Sequence, residues 1–531
     1  MSDKPRWFQT TAIDYPNSRP HIGTAFEKLG ADVQARYRRM EGYDVFFLMG
    51  NDENTVKVSK RAAELCRDTQ AYCDDMARQF REVWDALDIS YDTFVQTSSE
   101  RHKHCCRQFI QKVYDNGYIY KGSYEGRYCD GCETFKTEKE LVNGECPLHP
   151  GKQVARRSEP CHFFKLSAFG DRLLEFYERN PDFIQPESRK NEIISLIKND
   201  GLLDVNITRR GENWGIQVPF DPEFTIWVWF DALLTYITGI GYGDDRATFD
   251  RFWPADTHFI GKDITRFHCA LWPAMLWAAG EHPPKKVFGH GFVYINVDGE
   301  RKRGSKTIKE ELKEKGLDYL LEPMEIIKRF SAESFRYYFL RECPFPSDGD
   351  FSPERFIEVY NSELANNLGN LLSRELTITF RNYEGVLAGT ANCKPDPVVP
   401  GLDLAAFVQS VRDDVEACRY NLALQKIVQD FLTPTNQYLE ANKPWVTVKT
   451  DKEAAKKVLF NAVQSLRVAA ILLKPFIPRS ATTIYKSFNF PTPWEEVKYA
   501  DAAQLMPQAE DLRVTAELID GRPAPLFPRI A

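Results

Sequence analysis

The chain has 531 residues, 43% of them apolar and 27% charged, with 69 Lys and Arg against 76 Asp and Glu for a formal net charge of −7. That length exceeds one hydrophobic core and implies about three domains, and the ordinary globular composition excludes disorder, collagen and coiled coil as the main state. A polyanionic partner would have to be met by a local basic face, and no run of about 18 apolar residues exists to span a bilayer.

The segment from Met1 to Pro5 lacks an apolar h-region, so no secretory leader is expected. Twelve cysteines are scattered except for one cluster, which predicts a reducing cytosol, hence a cytoplasmic protein, with the cluster as a metal site. An apolar strand is predicted over 7–13, followed by a turn rich in Pro and Asn, a helix from about 21 to 40 and a strand over 44–49. Strand, turn, helix and strand at this spacing make a βαβ unit of a parallel sheet. The stretch 121–159 is rich in Gly, Cys and charge and reads as a small inserted module. Apolar strands and helices return over 225–236 and 258–279, and a loop rich in Gly and Lys spans 299–307. From Ser352, an N-cap followed by Pro353 at the first helical position, the chain is mostly helical, with helices over roughly 403–441 and 452–474. The tail after Pro475 is punctuated by proline and carries no clear pattern.

Four constellations carry chemistry. His21-Ile22-Gly23-Thr24 sits where a strand's turn starts a helix, and free N–H groups at a helix N-terminus attract anions. Gly23 admits a flat ring or a phosphate close to the backbone, and His21 can donate to a phosphate; the plain alternative is an ordinary helix start with a surface histidine. Gly299-Glu300-Arg301-Lys302-Arg303-Gly304-Ser305-Lys306-Thr307 is a cationic loop able to close on a triphosphate, or else a solvated charged hairpin. Cys129 and Cys132, followed by Cys146 and His149, have the spacing of a single tetrahedral Zn²⁺ site, closed and therefore structural. Trp227, Trp229, Tyr236, His268 and Trp272 form either an aromatic slot for an apolar amino acid or part of a core. The remaining cysteines, Cys105 and Cys106 among them, show no ligand spacing and read as buried or incidental.

Taken together, these pieces resemble the methionyl-tRNA synthetase family of class I aminoacyl-tRNA synthetases in its single-knuckle form, almost end to end. The marks are Thr10 to Tyr15 ahead of His21-Ile22-Gly23-Thr24, Gly42 to Leu48 ahead of Asp52-Glu53, and Val228-Trp229-Phe230-Asp231-Ala232-Leu233. Gly261-Lys262-Asp263-Ile264, Arg336-Tyr337-Tyr338, Asn366 to Leu371 and Asn442-Lys443-Pro444-Trp445 complete the set.

The resemblance implies a Rossmann-like parallel-sheet catalytic domain split by a zinc-knuckle insertion, followed by an α-helical bundle that binds the anticodon. The expected limits are 1–115 and 225–298 for the catalytic halves, 116–224 for the insertion, 299–352 for the loop and stem-contact region, and 353–531 for the bundle. The implied activity is ATP-dependent ligation of L-methionine to tRNA(Met) through methionyl-adenylate, with Mg²⁺ accompanying ATP and one structural Zn²⁺. His21, Gly23 and Thr24 fall on the HIGH signature, and Arg303, Ser305 and Lys306 on the KMSKS loop, all acting on ATP. Ile13, Tyr15, Asp52, Arg209, Trp229, Ala232, Leu233, Tyr236, Asp263, Ile264, His268 and Trp272 fall on the methionine pocket, with Asp52 taking the ammonium. Asn370, Arg374 and Trp445 fall on the anticodon readers. Cys129, Cys132, Cys146 and His149 would hold the zinc. The chain stops at Ala531, which leaves no room for the appended dimerising domain of longer members, so a monomer is expected.

The sequence departs from the family at Thr24, which donates one hydrogen bond but carries no charge, and at Gly304, which loosens the loop. Asn54 and Thr55 stand where the family has His-Gly, and a run over 310–320 is added. A non-catalytic tRNA-binding relative is the alternative from another class, and methionine-dependent pyrophosphate exchange separates the two. A cysteinyl enzyme would place zinc in the amino-acid slot, whereas here the cluster sits in the insertion. The insertion is also too small for the editing domain of the isoleucyl, valyl and leucyl enzymes.

Overall fold

The computed structural model describes residues 4–129, 134–136, 141, 145, 154–211, 213–297, 300–302, 312–314, 322–387, 398–506, 512–519 and 522–530. β1 (Arg6–Thr11) leads to α1 (Ile22–Met40), and β2 (Asp44–Asn51) follows. α2 (Val56–Glu64) and α3 (Thr69–Ala86) then precede β3 (Thr93–Gln96), and α4 (Glu100–Asp115) closes the first half. The last four residues of β1 and the last five of β2 are buried, as central strands covered on both faces must be. The βαβ unit read from the sequence is therefore present, with the strand leaving the sheet at Thr11.

The main sheet has six strands, all parallel, in the order β3, β2, β1, Thr257–Gly261, Val287–His290, Ile184–Gln185. The strand order thus reverses beside β1, and a crevice for ligands is expected at the carboxyl ends there. The edge strand Ile184–Gln185 comes from the segment between the two halves. In that same segment Ile119–Cys129 pairs antiparallel with Val154–Phe164 along its whole length. A smaller sheet joins Val293–Val297 to Glu300–Lys302 and to Gly349–Phe351.

α1 is buried nearly all round because the sheet covers one side and the C-terminal helices the other. At Gly30 an added Cβ would lie 2.1 Å from the Phe345 ring, so only glycine allows that approach. Tyr420 donates to Gly30 O at 2.7 Å, and Gln34 donates to Val415 O. The guanidinium of Arg336, fully buried in the helix Ala332–Glu342, bonds Asp32 of α1 at 2.7 Å. It also donates to the carbonyls of Leu87, Pro475 and Phe476.

From Pro353 the chain is helical as the sequence predicts, and the helical stretch expected over 403–441 is divided by a turn. Leu404–Glu416 ends at a turn in which Cys418 adopts φ +58°, and Tyr420–Gln425 begins the next segment. The helix expected over 452–474 runs Lys452–Leu473, and the tail adds a helix, Pro478–Lys486, that starts on proline. No described helix is long and apolar enough to cross a membrane.

Candidate active site

The first βα connection lies at the centre of the sheet's carboxyl edge. His21 is the N-cap of α1, with extended backbone angles. Its Nδ1 accepts from Gly23 N at 3.1 Å and Thr24 N at 3.3 Å, so in the neutral ring Nε2 carries the proton. Thr24 Oγ1 accepts from His21 N at 3.1 Å and donates to His21 O at 2.8 Å, which makes Thr24 the return arm of a capping box. The exposed His21 ring occupies the open side of Gly23, where a Cβ would come within 3.1 Å of it. No acidic residue stands in the first turn, so the helix terminus keeps its affinity for anions.

Beneath this turn lies a buried charge network that the sequence reading did not single out. Lys28, with no exposed side-chain surface, bonds Glu27 at 2.7 Å, Asp14 at 3.1 Å and Ala12 O at 2.8 Å. Glu27 also meets His290 Nε2 at 2.9 Å. Burial opposes the charges of Glu27 and Lys28, but the partners outweigh it, lowering the first and raising the second. For Asp14 burial wins over Lys28 and moves the carboxyl up to about 6. The only signal in the sequence was two adjacent charges, Glu27 and Lys28, on a helix that is otherwise apolar where it meets the sheet.

The aromatic cluster gathers beside this turn. Tyr236, His268 and Trp272 are buried, and both His268 and Trp272 approach the Tyr236 ring, at 5.6 and 6.1 Å. His268 Nδ1 donates to Ile264 O at 3.1 Å, which leaves Nε2 to accept from the Tyr236 hydroxyl at 2.7 Å. Burial lowers His268 to about 4, so this neutral arrangement holds at physiological pH. His258, which the sequence reading passed over, completes the floor: it accepts from Trp272 Nε1 at 3.2 Å and meets Thr10 Oγ1 at 2.7 Å. Trp229 stacks on Phe267 with centroids 3.9 Å apart. Phe267–Leu271 is a π-helical turn, and the wider turn rotates His268 towards Tyr236.

Asp52 follows β2 and is 3% exposed. Its backbone N–H is tied to Asp14 O at 2.9 Å, while its Oδ1 has no hydrogen-bond partner. Its charge reaches the buried Tyr236, raising the hydroxyl after the larger effects of burial and Glu27. Burial first, then Asp231 and Glu53, push the Asp52 carboxyl well above the usual range. A buried acceptor without a partner among aromatic rings is what a ligand's ammonium group would satisfy.

The other expected pocket residues are spread around this centre. Ile13, Ile264 and Trp229 are half-buried, Ala232 and Leu233 are buried, and Tyr15 and Asp263 are exposed. Asp263 lies over Gly261, where an added Cβ would meet its Oδ1 at 2.9 Å. Arg209 places its guanidinium 5.7 Å from the Trp227 ring and donates to Thr208 O at 2.8 Å. Arg303, Ser305 and Lys306 lie outside the described residues, and so do Cys132, Cys146, His149 and the side chain of Cys129. Far from this crevice in sequence, Arg374 sits 4.5 Å over the Trp445 ring and pairs with Glu440 at 2.8 Å. Asn370, exposed, is one helical turn before Arg374.

Among the described residues one group has the donor set of a metal site: His102, Cys106 and Asp231, all buried, with ligand atoms within 4.8 Å of one another. The sequence reading had set Cys106 aside. His102 Nε2 and Asp231 Oδ1 are 2.6 Å apart, a hydrogen-bond separation. Two such ligands on one tetrahedral Zn²⁺ stand about 3.3 Å apart, so the group would have to open to hold an ion.

Comparison with known proteins bears directly on this crevice. The family of class I tRNA synthetases (M) matches residues 7–161 and 149–376, and the anticodon binding domain of methionyl tRNA ligase matches residues 402–520. A methionine–tRNA ligase of Caldanaerobacter subterraneus is 40% identical over 505 residues, covering 93% of this chain and 76% of that one. One from Nostoc sp. is 38% identical over 532 residues, covering 98% and 96%. The structure of Mycobacterium tuberculosis methionyl-tRNA synthetase in complex with methionyl-adenylate superposes with a TM-score of 0.85 at 34% identity, covering 99% of this chain and all of that one.

Proposed function

The chain belongs to the methionyl-tRNA synthetases of class I, and from that premise we propose that it ligates L-methionine to tRNA(Met) through methionyl-adenylate, releasing AMP and pyrophosphate. In the first step a methionine carboxylate oxygen attacks the α-phosphorus of ATP, and the bond to the bridging oxygen of pyrophosphate breaks. In the second, a hydroxyl of the tRNA's 3′-terminal adenosine attacks the acyl carbon, and AMP leaves. Neither step needs a protein nucleophile, so the chain contributes position and charge stabilisation.

His21 Nε2–H would meet the phosphates at the positive end of α1, with Thr24 holding the His21 backbone and the Gly23 and Thr24 amides holding the ring through Nδ1. Lys306, with Ser305 and Arg303, would close over the departing pyrophosphate, and Mg²⁺ would offset phosphate charge when bound with ATP. Asp52 would receive the ammonium, with Arg209 and Asp263 completing the polar rim. Ile13, Tyr15, Trp229, Ala232, Leu233, Tyr236, Ile264, His268 and Trp272 would surround the thioether, whose soft contacts with rings are worth roughly 0.3–1.5 kcal/mol each. Asn370, Arg374 and Trp445 would read the anticodon, with Arg374 moving off the Trp445 ring so that a base can stack there. Cys129, Cys132, Cys146 and His149 would hold one structural Zn²⁺. We assign the halves of the catalytic domain to 1–115 and 225–298, the insertion to 116–224, the loop region to 299–352 and the anticodon-binding part to 353–531, in a cytoplasmic monomer.

The observation that carries this reading is the meeting, at the carboxyl edge of β1 and β2, of a helix terminus capped by His21 with a buried Asp52, whose Oδ1 has no partner, beside the Tyr236–His268–Trp272 slot. ATP–pyrophosphate exchange tests it. Exchange should require methionine and fail with cysteine, isoleucine or valine. Binding of tRNA without any methionine-dependent exchange would favour the non-catalytic alternative.

A further inference from the structure

His102 lies in α4, 1% exposed, and no step of the proposed reaction uses it. Its imidazole is held on both sides, with Asp231 Oδ1 2.6 Å from Nε2 and Thr238 Oγ1 2.7 Å from Nδ1. A carboxylate only accepts, so the neutral ring donates from Nε2 to Asp231 and accepts at Nδ1 from the Thr238 hydroxyl. The second oxygen of Asp231 accepts from Asn54 Nδ2 at 2.8 Å, and the same amide donates to Thr97 O at 2.9 Å. Asn54 stands two residues after Asp52 in one buried loop. Asp231 is also the charged group with the largest effect on Asp52. Two carboxylates that feel one another's charge repel, and the gap between them holds its shape only if one is fixed by donors.

We infer that His102 is a positioning residue for methionine recognition: through Asp231 and Asn54 it fixes the loop that carries Asp52, and so the place where the substrate's ammonium group docks. This rests on the reading that Asp52 receives that group. The chain of contacts runs from α4 to the loop after β2 by way of the helix Val228–Ala232. Cys106, whose Sγ is 3.1 Å from His102 Nε2 and a weak donor 3.7 Å from Asp231 Oδ1, touches the same pair, so its replacement separates loss of packing and of a weak thiol contact from loss of the imidazole.

The test measures KM for methionine and for ATP in pyrophosphate exchange, together with inhibition by 4-(methylthio)butanoate, which is methionine without its ammonium. His102→Ala and Asn54→Ala should each raise the methionine KM about tenfold or more while the ATP KM and the inhibition constant stay within about twofold. His102→Gln, whose Nε2 can still donate to Asp231, should recover most of the loss. Cys106→Ala should leave the methionine KM in place. The inference is overturned if His102→Ala and Asn54→Ala leave the methionine KM within about twofold, if both substrates and the inhibitor weaken together, or if Gln fails as badly as Ala. Absence of methionine-dependent exchange in the parent protein would overturn the functional reading, and the inference with it.

Discussion

Asp52 makes the pH dependence of the slot concrete. Its carboxyl is raised by burial and by Asp231, whereas an ammonium ligand favours the ionised form. Methionine binding should therefore release a proton, and the methionine KM should fall as pH rises through the range in which Asp52 ionises. Asp52→Asn should raise that KM and flatten its pH profile; an unchanged slope in the variant would place the ammonium elsewhere. The phosphate end is tested by Lys306→Ala, which should cut the exchange kcat far more than methionine affinity. Trp445→Ala should weaken tRNA charging and leave exchange nearly intact, and collapse of both would refute its anticodon role. At this scale the chemically loud residues were legible in the sequence, because His21, Asp52 and the tryptophans stand in ordered motifs. The supporting residues were not. His258, Glu27, Lys28 and His102 act through bonds to Thr10, His290, Asp14 and Asp231, partners distant in sequence, and nothing in local spacing announces such a partner.

The first turn of α1 joins the fold to the chemistry. Thr24 closes the capping box that fixes the His21 backbone, so Thr24→Val should lower stability by about 0.5–2 kcal/mol and also slow exchange, and Thr24→Ser should restore both. Equal behaviour of the Val variant and the parent, in thermal melts and in exchange rate, would show that the box is incidental. α1 was predictable almost to the residue, because a turn rich in Pro and Asn and the helical run after it agree. The π-helical turns Phe267–Leu271 and Tyr360–Gly369 were not, since one extra residue in a turn leaves the apolar pattern nearly unchanged. The turn at Cys418 was missed for a related reason: the left-handed residue is a cysteine, and no glycine or proline marks the break.

The catalytic sheet and the helical part share one apolar core, threaded by the Asp32–Arg336 pair. Burial opposes the Asp32 charge, but Arg36 and Arg336 outweigh it and hold the carboxyl at about 2, below its ordinary 3.8. A depressed carboxylate stabilises the fold above its unfolded value, and that stability, on the order of 2 kcal/mol, is lost as pH falls towards 2. Arg336→Met should cost about 3–5 kcal/mol at neutral pH, because Asp32 loses a partner and three carbonyls lose a donor. Denaturant midpoints would record this, and a neutral substitution would show the pair to be dispensable. Apolar periodicity reveals which faces are covered but reads a buried charge as exposed, so this link between the two parts was invisible in the sequence.

The most direct test is a crystal structure of the protein with a non-hydrolysable methionyl-adenylate analogue and pyrophosphate. The account predicts the ammonium on Asp52, the thioether among Tyr236, His268 and Trp272, and both His21 Nε2 and Lys306 Nζ within about 3 Å of phosphate oxygens. A ligand bound elsewhere, or His21 and Lys306 facing separate cavities around the bound adenylate, would contradict it.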